Sequence, residues 1–319
     1  MESFVLAYSQ EYALQGGLLI MIKRASSICG MGDALNQRAF LITYCKQKGI
    51  KTSDIALYTE KYWWIFAGLG FRKGIVRSDF RGLVAFRNFG FYDMQHTNNL
   101  DELDKSIALT AGIDYSFEIC VPFPSFTPPK VELPKRYITF NTGFGNLSGR
   151  PGNKDYICLK SWPKYHWTEF VRKIGVPCVQ IGGGPSCEII PGAINLVDKL
   201  TIQESAEVMR NALFHVDMEG GLPILAQHLL KRSVVLFGPT AVENQGRSFN
   251  LNIRCSVCTP CYEWGEKRKH LYELKSPLSC MARCMQEIKP DYVIEEIQKT
   301  GWLKKAPSVP KKFIVSLDK

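Results

Sequence analysis

Short apolar segments alternate with longer amphipathic ones along most of the chain. The apolar segments predict β-strands at residues 18–22, 55–57, 75–77, 83–86, 137–141, 178–181, 214–217 and 234–237. Between them, apolar residues recur at helical spacing and predict helices at residues 33–47, 203–212 and 223–230. Strands that alternate with helices are typical of parallel sheets covered by helices. The pattern therefore predicts an α/β protein.

A proline-rich segment divides this pattern near the middle of the chain. Residues 120–134 contain five prolines, and proline at that density favours extended structure over helix. We therefore predict a linker and two Rossmann-like domains. The predicted domains are residues 1–132 and 133–303, and a basic tail follows at 304–319. Ligands of parallel sheets bind beyond the carboxyl ends of the strands, so we expect a binding crevice between the domains.

Length, composition and charge agree with this organisation and narrow the class of protein. The 319 residues are 45% hydrophobic and 12% aromatic, which is enough for two buried cores. No apolar run is long enough to span a membrane, and the amino terminus lacks the pattern of a signal peptide, so we expect a cytoplasmic protein. The net charge of +10 fits a phosphorylated glycolipid, an anionic membrane surface, a nucleotide or nucleic acid as partner.

The first candidate site is the segment Cys29-Gly-Met-Gly-Asp33, which follows the predicted strand at 18–22. Gly30 and Gly32 permit a tight turn, and Asp33 then lies at the start of a helix. A carboxylate in that position can accept a proton from an attacking hydroxyl. The alternative is that Asp33 only caps its helix, a role that aspartate fills well. The spacing alone does not separate the two hypotheses.

The second candidate site follows the predicted strand at 137–141. This strand opens into residues whose backbone N–H groups can bind an anion: Asn141, Thr142 and Gly143. Lys160 would then place a positive charge beside a diphosphate. The segment lacks the Gly-Lys-Ser/Thr ending of a P-loop, so an ordinary connecting loop is the alternative. We expect Trp162 and Trp167 to be packing anchors rather than substrate contacts.

The third candidate site lies at the ends of the predicted strands 214–217 and 234–237. The first of these strands leads into an acid and a helix start: Glu219, Gly220, Gly221 and Leu222. Backbone N–H groups at a helix start can hold a diphosphate, and the helix dipole helps. The second strand leads into a similar arrangement of Gly238, Pro239 and Thr240. Because Glu219 is ill-suited beside phosphate, we expect it to accept hydrogen bonds from sugar hydroxyls.

Five of the eleven cysteines lie between residues 255 and 284. Two Cys-x-x-Cys steps and one Cys-x3-Cys step allow four thiolates to surround one ion tetrahedrally. We predict a structural zinc or iron, and the best ligands are Cys258, Cys261, Cys280 and Cys284, with Cys255 as a spare. The alternative is a set of reduced thiols in an irregular surface segment. Ligand type alone does not separate zinc from iron.

In this order, the segments resemble the heptosyltransferases of glycosyltransferase family nine, which have the GT-B architecture. The matching motifs are Ser26-Ser27 with Gly-x-Gly-Asp33, Lys160-x-Trp-Pro with Trp167, Ile181-Gly182-Gly183-Gly184, Asn195-Leu with Leu200-Thr-Ile-x-Glu204, and Glu219-Gly-Gly-Leu with Gly238-Pro-Thr240. Each motif is modest alone, but their order and spacing over residues 18–297 make the match fairly specific. The cysteine segment is similar to that of a subgroup that glycosylates autotransporter proteins and holds iron through four cysteines.

The resemblance implies an inverting sugar transfer from a nucleotide sugar, usually ADP-heptose, without a catalytic metal. Asp33 would be the catalytic base, and Lys160 would be the lysine beside the donor phosphates. Glu219 stands where the family usually has the aspartate of an Asp-Thr-Gly motif, and Ile224 stands where a histidine is frequent. A changed sugar pocket or a weak activity is compatible with both departures. The acceptor would be a hydroxyl of the lipopolysaccharide core or of a surface protein.

Two other classes of function stay open on the sequence. One is a catalytically silent nucleotide-sugar-binding protein. The other is a zinc-containing nucleic-acid-binding protein, but Glu263 and Glu266 interrupt the basic run and no finger pattern with paired histidines follows. We therefore expect no nucleic-acid partner. A homo-oligomer and a peripheral association with the inner face of the cytoplasmic membrane are both compatible with the sequence.

Overall fold

A computed structural model describes residues 24–27, 30–59, 61–74, 111–143, 160–256 and 282–316. The chain divides into two compact units, Met1–Val121 and Pro122–Lys319. The division falls inside the predicted linker at 120–134. Among the described helices, none is both long and apolar enough to cross a membrane.

The first unit contains a parallel sheet in the order β1-β2-β3, with strands Arg24–Ser27, Ala56–Thr59 and Arg72–Lys73. Its helices are α1 (Met31–Lys48) and α2 (Trp63–Phe66), and Thr52–Asp54 forms a 3-10 turn. Helix α1 confirms the predicted helix at 33–47, and β2 corresponds to the predicted strand at 55–57. The strands predicted at 18–22, 75–77 and 83–86 lie outside the described residues.

Helix α1 is buried on every side over its middle. All residues from Ala34 to Cys45 are buried, including the polar Asn36, Gln37 and Arg38. The guanidinium of Arg38 donates a hydrogen bond to the carbonyl of Val121, at the end of this unit. Burial lowers the pKa of Arg38 to about 9. The helix ends at Gly49, whose positive φ of 64° is favoured by glycine.

The described residues of the second unit form six parallel strands in the order β6-β5-β4-β7-β8-β9. Their bounds are Ile138–Phe140 (β4), Cys178–Gln180 (β5), Ile194–Asn195 (β6), His215–Met218 (β7), Ser233–Phe237 (β8) and Leu251–Arg254 (β9). The helices are Lys164–Lys173 (α3), Ile202–Asn211 (α4), Gly221–His228 (α5), Val242–Gln245 (α6), Arg283–Glu287 (α7) and Pro290–Thr300 (α8), and Lys311–Phe313 forms a 3-10 turn.

The strand order of this sheet is that of a Rossmann fold. From β4 the chain proceeds outward to β5 and β6, returns to the middle, and then builds β7, β8 and β9 on the other side of β4. Ligands of such sheets bind at the point where the order reverses, beyond the carboxyl ends of the strands. In this unit that point lies between β4 and β7.

The core explains why the strands could be predicted and why two tryptophans lie close to them. All residues of β4, β5, β7 and β8 are buried, as expected for parallel strands covered on both faces. Trp167 stacks on Phe140 with ring centroids 5.1 Å apart, and Trp162 meets Trp167 edge-on at 4.7 Å. Both tryptophans are buried, which confirms the prediction that they anchor the core.

The proline-rich segment is held against helix α4. Residues 121–134 form neither helix nor strand. Glu207 of α4 accepts hydrogen bonds from the backbone N–H of Phe126 (2.8 Å) and from Nε of Arg210 (2.9 Å). Arg210 in turn donates to the carbonyls of Phe123 (3.3 Å) and Pro124 (2.9 Å). The first residues of the predicted linker are thus fixed to the second unit.

The basic tail is attached to the same unit, although its lysines are solvated. Ser308 pairs with Lys231 in an antiparallel bridge, Val309 is buried, and Phe313 packs against Phe249 with ring centroids 5.3 Å apart. The lysines at 304, 305, 311 and 312 are exposed.

Replacing Glu207 with alanine should loosen this attachment. The change removes the carboxylate that accepts from the part-buried N–H of Phe126 and from Nε of Arg210, which should cost about 2 kcal/mol. Urea unfolding measures the loss, and trypsin should then cut faster after the exposed Lys130. The control is Glu295→Ala, which removes a surface partner of Lys299 and should cost less than about 0.5 kcal/mol. Equal stability losses in the two variants would contradict the prediction.

Candidate functional site

Three residues predicted from different segments meet at the carboxylate of Glu219. Lys160 forms an ion pair with Oε2 of Glu219, and the hydroxyl of Thr240 donates to the same oxygen at 3.1 Å. Glu219 follows β7 and Thr240 follows β8, so the shared edge of the parallel strands brings them together. The side chains of Lys160 and Glu219 are 21% and 17% exposed. This group therefore combines a reachable cation with a reachable carboxylate.

Helix α5 begins directly beside this group. Gly220 is its N-cap residue and has no side chain with which to cap the helix. The backbone N–H groups of Gly221 and Leu222 belong to the first turn, where an α-helix has no internal partners for its donors. Pro223 has no N–H and suits the first turn. The start of α5 is thus built to accept an anion next to Lys160.

Asn141 lies where the strand order reverses. It follows β4 and is buried, and its amide nitrogen donates to Asp217 of β7 at 3.3 and 3.4 Å and to the carbonyl of Gly143. Its amide oxygen accepts the backbone N–H of Gly143 at 3.0 Å. One side chain therefore shapes the turn after β4 and connects it to the neighbouring strand.

Beneath Asn141 lies a fully buried chain of polar groups. Nε2 of His215 contacts Oδ2 of Asp217 at 3.2 Å, and Nδ1 of the same ring contacts the hydroxyl of Thr139 at 3.1 Å. The backbone N–H of Met218 donates to Asp217 at 2.7 Å. Burial raises the pKa of Asp217, while the hydrogen bonds from His215, Met218 and Asn141 oppose that rise.

The glycines after β4 and β5 allow two loops to touch. A Cβ on Gly143 would lie 2.3 Å from Sγ of Cys187, and a Cβ on Gly182 would lie 2.3 Å from the amide oxygen of Asn141. Gly182 also has a φ of +112°, which other residues rarely adopt. A Cβ on Gly183 would lie 2.5 Å from Oδ1 of Asp198. Close contact between loops is the reason for glycine at all three positions.

Gln180 fixes the other side of this loop pair. Its amide nitrogen donates to the hydroxyl of Thr142 at 3.1 Å and to the carbonyl of Glu188 at 2.6 Å. Its amide oxygen accepts the N–H of Ile190 at 3.0 Å. Thr142 also donates to Glu188 at 2.9 Å. The sequence predicts that Thr142 binds an anion through its backbone N–H group. Its side chain holds the loop after β5.

Gly238 and Pro239 have a packing role in addition to their place after β8. A Cβ on Gly238 would lie 2.4 Å from Sδ of Met285 and 3.2 Å from Sγ of Cys284. Pro239 is buried. Glycine at 238 thus lets α7 lie directly against the turn that presents Thr240.

Asp33 belongs to the first unit and lies in the first turn of α1. Its Oδ2 accepts the backbone N–H of Gly30 at 3.2 Å, so the capping role considered from the sequence is present. The side chain is only partly buried. A carboxylate with one capping bond can also accept a proton, so capping and base catalysis are compatible.

The predicted metal ligands Cys258, Cys261 and Cys280 lie outside the described residues, so the structural zinc or iron stays a prediction. Cys255 and Cys284 are described, and both are buried in the core of the second unit. Within the described ranges, no group of three or more histidine, cysteine, aspartate or glutamate side chains could hold a metal ion.

Sequence reasoning missed the residues that organise the reversal point. Asp217 and His215 lie in a buried strand, and Gln180 and Cys187 flank the triple-glycine turn. His215 and Asp217 are ionisable residues within an otherwise apolar strand, and this is the signal that could have identified Asp217. No sequence signal identifies Gln180 or Cys187, because their contacts with Thr142 and Asn141 depend on how the loops after β4 and β5 pack.

The fold is that of the GT-B glycosyltransferases. The iron-containing dodecameric glycosyltransferase TibC from enterotoxigenic E. coli H10407 superposes with a TM-score of 0.58 at 16% identity, over 88% of this chain and 77% of TibC. A family 9 glycosyl transferase from Veillonella parvula gives 0.60 at 12% identity, over 90% and 99% of the two chains. The E. coli ADP-heptose LPS heptosyltransferase II gives 0.52 at 13% identity, over 89% and 99%.

These likenesses establish the α/β GT-B fold expected from the sequence motifs. TibC has also been solved in complex with ADP-D-β-D-heptose. Comparison with protein-family models and with curated protein sequences finds no match. The likenesses show the fold, and the chemistry of this chain depends on its own residues.

Asn141→Asp should destabilise the second unit in a pH-dependent way. The change places a second carboxylate against Asp217, and of two such groups one has a strongly raised pKa. In the unfolded chain these carboxyl groups lose their protons at lower pH than in the folded chain. The loss of folding stability is therefore absent at low pH and grows as pH rises. A rise of two pKa units corresponds to about 3 kcal/mol at pH 7. Urea unfolding at pH 4.5 and at pH 7, about two and a half pH units apart, measures the loss of folding stability.

The matched control is Asn195→Asp. The amide oxygen of Asn195 accepts the N–H of Val197 at 2.9 Å, and a carboxylate keeps that bond. Its stability should change little between the two pH values. A similar pH dependence in both variants would remove the contact with Asp217 as the cause.

Proposed function

We propose that this protein is an inverting glycosyltransferase that transfers a sugar from a nucleotide diphosphate donor, with ADP-heptose as the expected donor. The observation that supports this most directly is the group formed by Lys160, Glu219 and Thr240 at the start of α5. It lies at the carboxyl ends of strands whose order is that of a Rossmann fold. The GT-B fold supports the same class of reaction.

In this proposal the second unit binds the donor. Lys160 and the first N–H groups of α5 contact the diphosphate, because both supply positive charge to an anion. Thr240 adds a hydroxyl at the same place. Glu219 cannot bind phosphate, and it accepts hydrogen bonds from the sugar hydroxyls instead. The carboxylate thus marks the boundary between the sugar and the diphosphate.

The transfer itself needs a base, and Asp33 is the candidate. The oxygen of the acceptor hydroxyl attacks the anomeric carbon, while the carboxylate of Asp33 takes its proton. The bond between that carbon and the phosphate oxygen breaks, and its electron pair leaves with the nucleoside diphosphate. Lys160 and the donors at α5 stabilise the negative charge of the leaving group. Attack from the opposite face inverts the anomeric centre.

The ADP-heptose assignment rests on likeness, and one residue departs from the family motif beside the sugar. TibC and the E. coli heptosyltransferase are named for heptose transfer or bind ADP-heptose. Here the acid beside the sugar is Glu219, which is longer than the aspartate of the family motif and is paired with Lys160. The acceptor is a hydroxyl of a glycolipid core or of a surface protein.

Asp33→Asn tests the proposed base. Asparagine keeps an oxygen for the N–H of Gly30 but cannot take a proton, so the cap survives and the base is lost. We expect transfer to fall by about 100-fold or more, since general bases contribute about 10²–10⁴. The dissociation constant of ADP-heptose should stay unchanged. Single-turnover transfer to lipopolysaccharide-core and surface-protein acceptors, assayed in parallel, measures the first quantity, and calorimetry measures the second.

Asp54→Asn is the matched control, because it makes the same change at an exposed turn of the first unit. Full activity in Asp33→Asn would mean that Asp33 caps its helix and is not the catalytic base. A wild-type chain that binds ADP-heptose but transfers nothing to either acceptor would instead be the catalytically silent binder.

Glu219→Gln tests the division between sugar and diphosphate. Removing one negative charge beside the phosphates should strengthen ADP binding by about 1 kcal/mol, or about fivefold. ADP-heptose should gain less, because the amide is a weaker acceptor for sugar hydroxyls. Glu243→Gln makes the same charge change at an exposed site of this unit and should alter neither affinity. Weaker ADP binding in Glu219→Gln would contradict the proposal, since it would mean that Glu219 chiefly holds Lys160 in place.

A further inference from the structure

We propose that residues 284–288, which close the cysteine-rich segment, are a positioning element for the donor site. They support both loops that deliver a partner to Glu219, the loop of Lys160 and the loop of Thr240. This inference rests on the proposed donor site and adds to it residues that never touch the donor.

The first support acts on the loop of Lys160. The indole Nε1 of Trp162, two residues after Lys160, donates to the carbonyl of Ile288 at 2.8 Å. One turn further, Nε2 of His166 donates to the carbonyl of Gln286 at 2.8 Å. Trp162, His166 and Ile288 are all buried. Two hydrogen bonds from buried side chains therefore fix the backbone that follows Lys160 to the end of α7.

The second support acts on the loop of Thr240. Met285 of α7 is fully buried, and it lies so close to Gly238 that a Cβ there would come within 2.4 Å of its sulfur. Cys284 lies against the same glycine, at 3.2 Å from that Cβ position. Gly238 is two residues before Thr240. The position of α7 thus sets how far the turn after β8 can move.

The two supports meet at one carboxylate. Lys160 and Thr240 both bind Oε2 of Glu219, and each lies two residues from a contact with 284–288. A shift of α7 moves both donors relative to Glu219, which is fixed by β7 and α5. Small misplacements of binding groups cost large factors in affinity and rate.

Gly238→Ala is the direct test, with ADP as the probe in calorimetry. The backbone at 238 does not require glycine, since its φ lies outside the left-handed region. The new methyl group meets Met285, so we expect ADP affinity to fall by about tenfold. Met285→Ala in the same chain removes the clashing atoms. The double variant should then recover most of the lost affinity.

Trp162→Phe provides a second test that does not depend on the folding of the first variant. It removes the bond to Ile288 and keeps an aromatic ring, and it should weaken ADP binding by about threefold or more. Trp302→Phe is the matched control in the same core. Trp302 packs against Phe214 and Arg232, which precede β7 and β8 at the opposite end of the strands. It should leave ADP affinity unchanged at a similar loss of melting temperature.

The outcomes separate this inference from the proposed function. If the wild-type chain binds neither ADP nor ADP-heptose, the proposed donor site is wrong, and the inference fails with it. If the wild type binds ADP but Gly238→Ala binds it equally well, only the inference is overturned. Failure of Met285→Ala to restore binding, or equal effects of Trp162→Phe and Trp302→Phe, would likewise overturn it. Rescue in the double variant together with an effect specific to Trp162 supports it.

Discussion

The parallel order of the six described strands in the second unit is the constraint on which its candidate site depends. Parallel strands place all their carboxyl ends at one edge. Because the order reverses between β4 and β7, the loops after these two strands diverge and leave space between them. Asn141 and Asp217 close the base of that space, and Glu219 binds Lys160 and Thr240 directly after the same strand as Asp217. The strand order thus brings together residues that are far apart in the sequence, and no short sequence segment determines these contacts.

Two acids at this edge have opposite environments. Asp217 is buried, contacts His215 and Asn141, and has a raised pKa because burial penalises its charge. Glu219 is partly exposed and paired with Lys160. A buried acid surrounded by hydrogen-bond donors serves to hold the strands and loops in register. A partly exposed acid that is paired with a partly exposed lysine can exchange that partner for a ligand. The two carboxylates are two residues apart in the sequence, and their roles follow from their different burial.

The sequence was sufficient for elements whose pattern is local. Helix α1 and strands β4, β5, β7 and β8 were predicted because continuous burial leaves a clear apolar signal. The candidate residues after those strands followed from the same pattern. The ion pair of Lys160 with Glu219 could not be predicted, since nothing local relates a residue before α3 to one after β7. The same holds for Gly238 and Met285, whose contact depends on how α7 packs. The attachments of the basic tail and of the proline-rich segment could not be predicted for a related reason, because they depend on distant partners such as Phe249 and Arg210.

The attachment of the proline-rich segment has a consequence for how such a protein can be recombined. Glu207 and Arg210 hold Phe123, Pro124 and Phe126, so these residues are part of the second unit although they resemble a spacer. A genetic exchange that replaced the first unit by that of another protein would keep the second unit intact only if the junction preceded Phe123. Crossovers inside the proline-rich stretch would separate α4 from its partners. The range in which a junction can be placed is therefore shorter than the proline-rich segment, and it lies at the beginning of that segment.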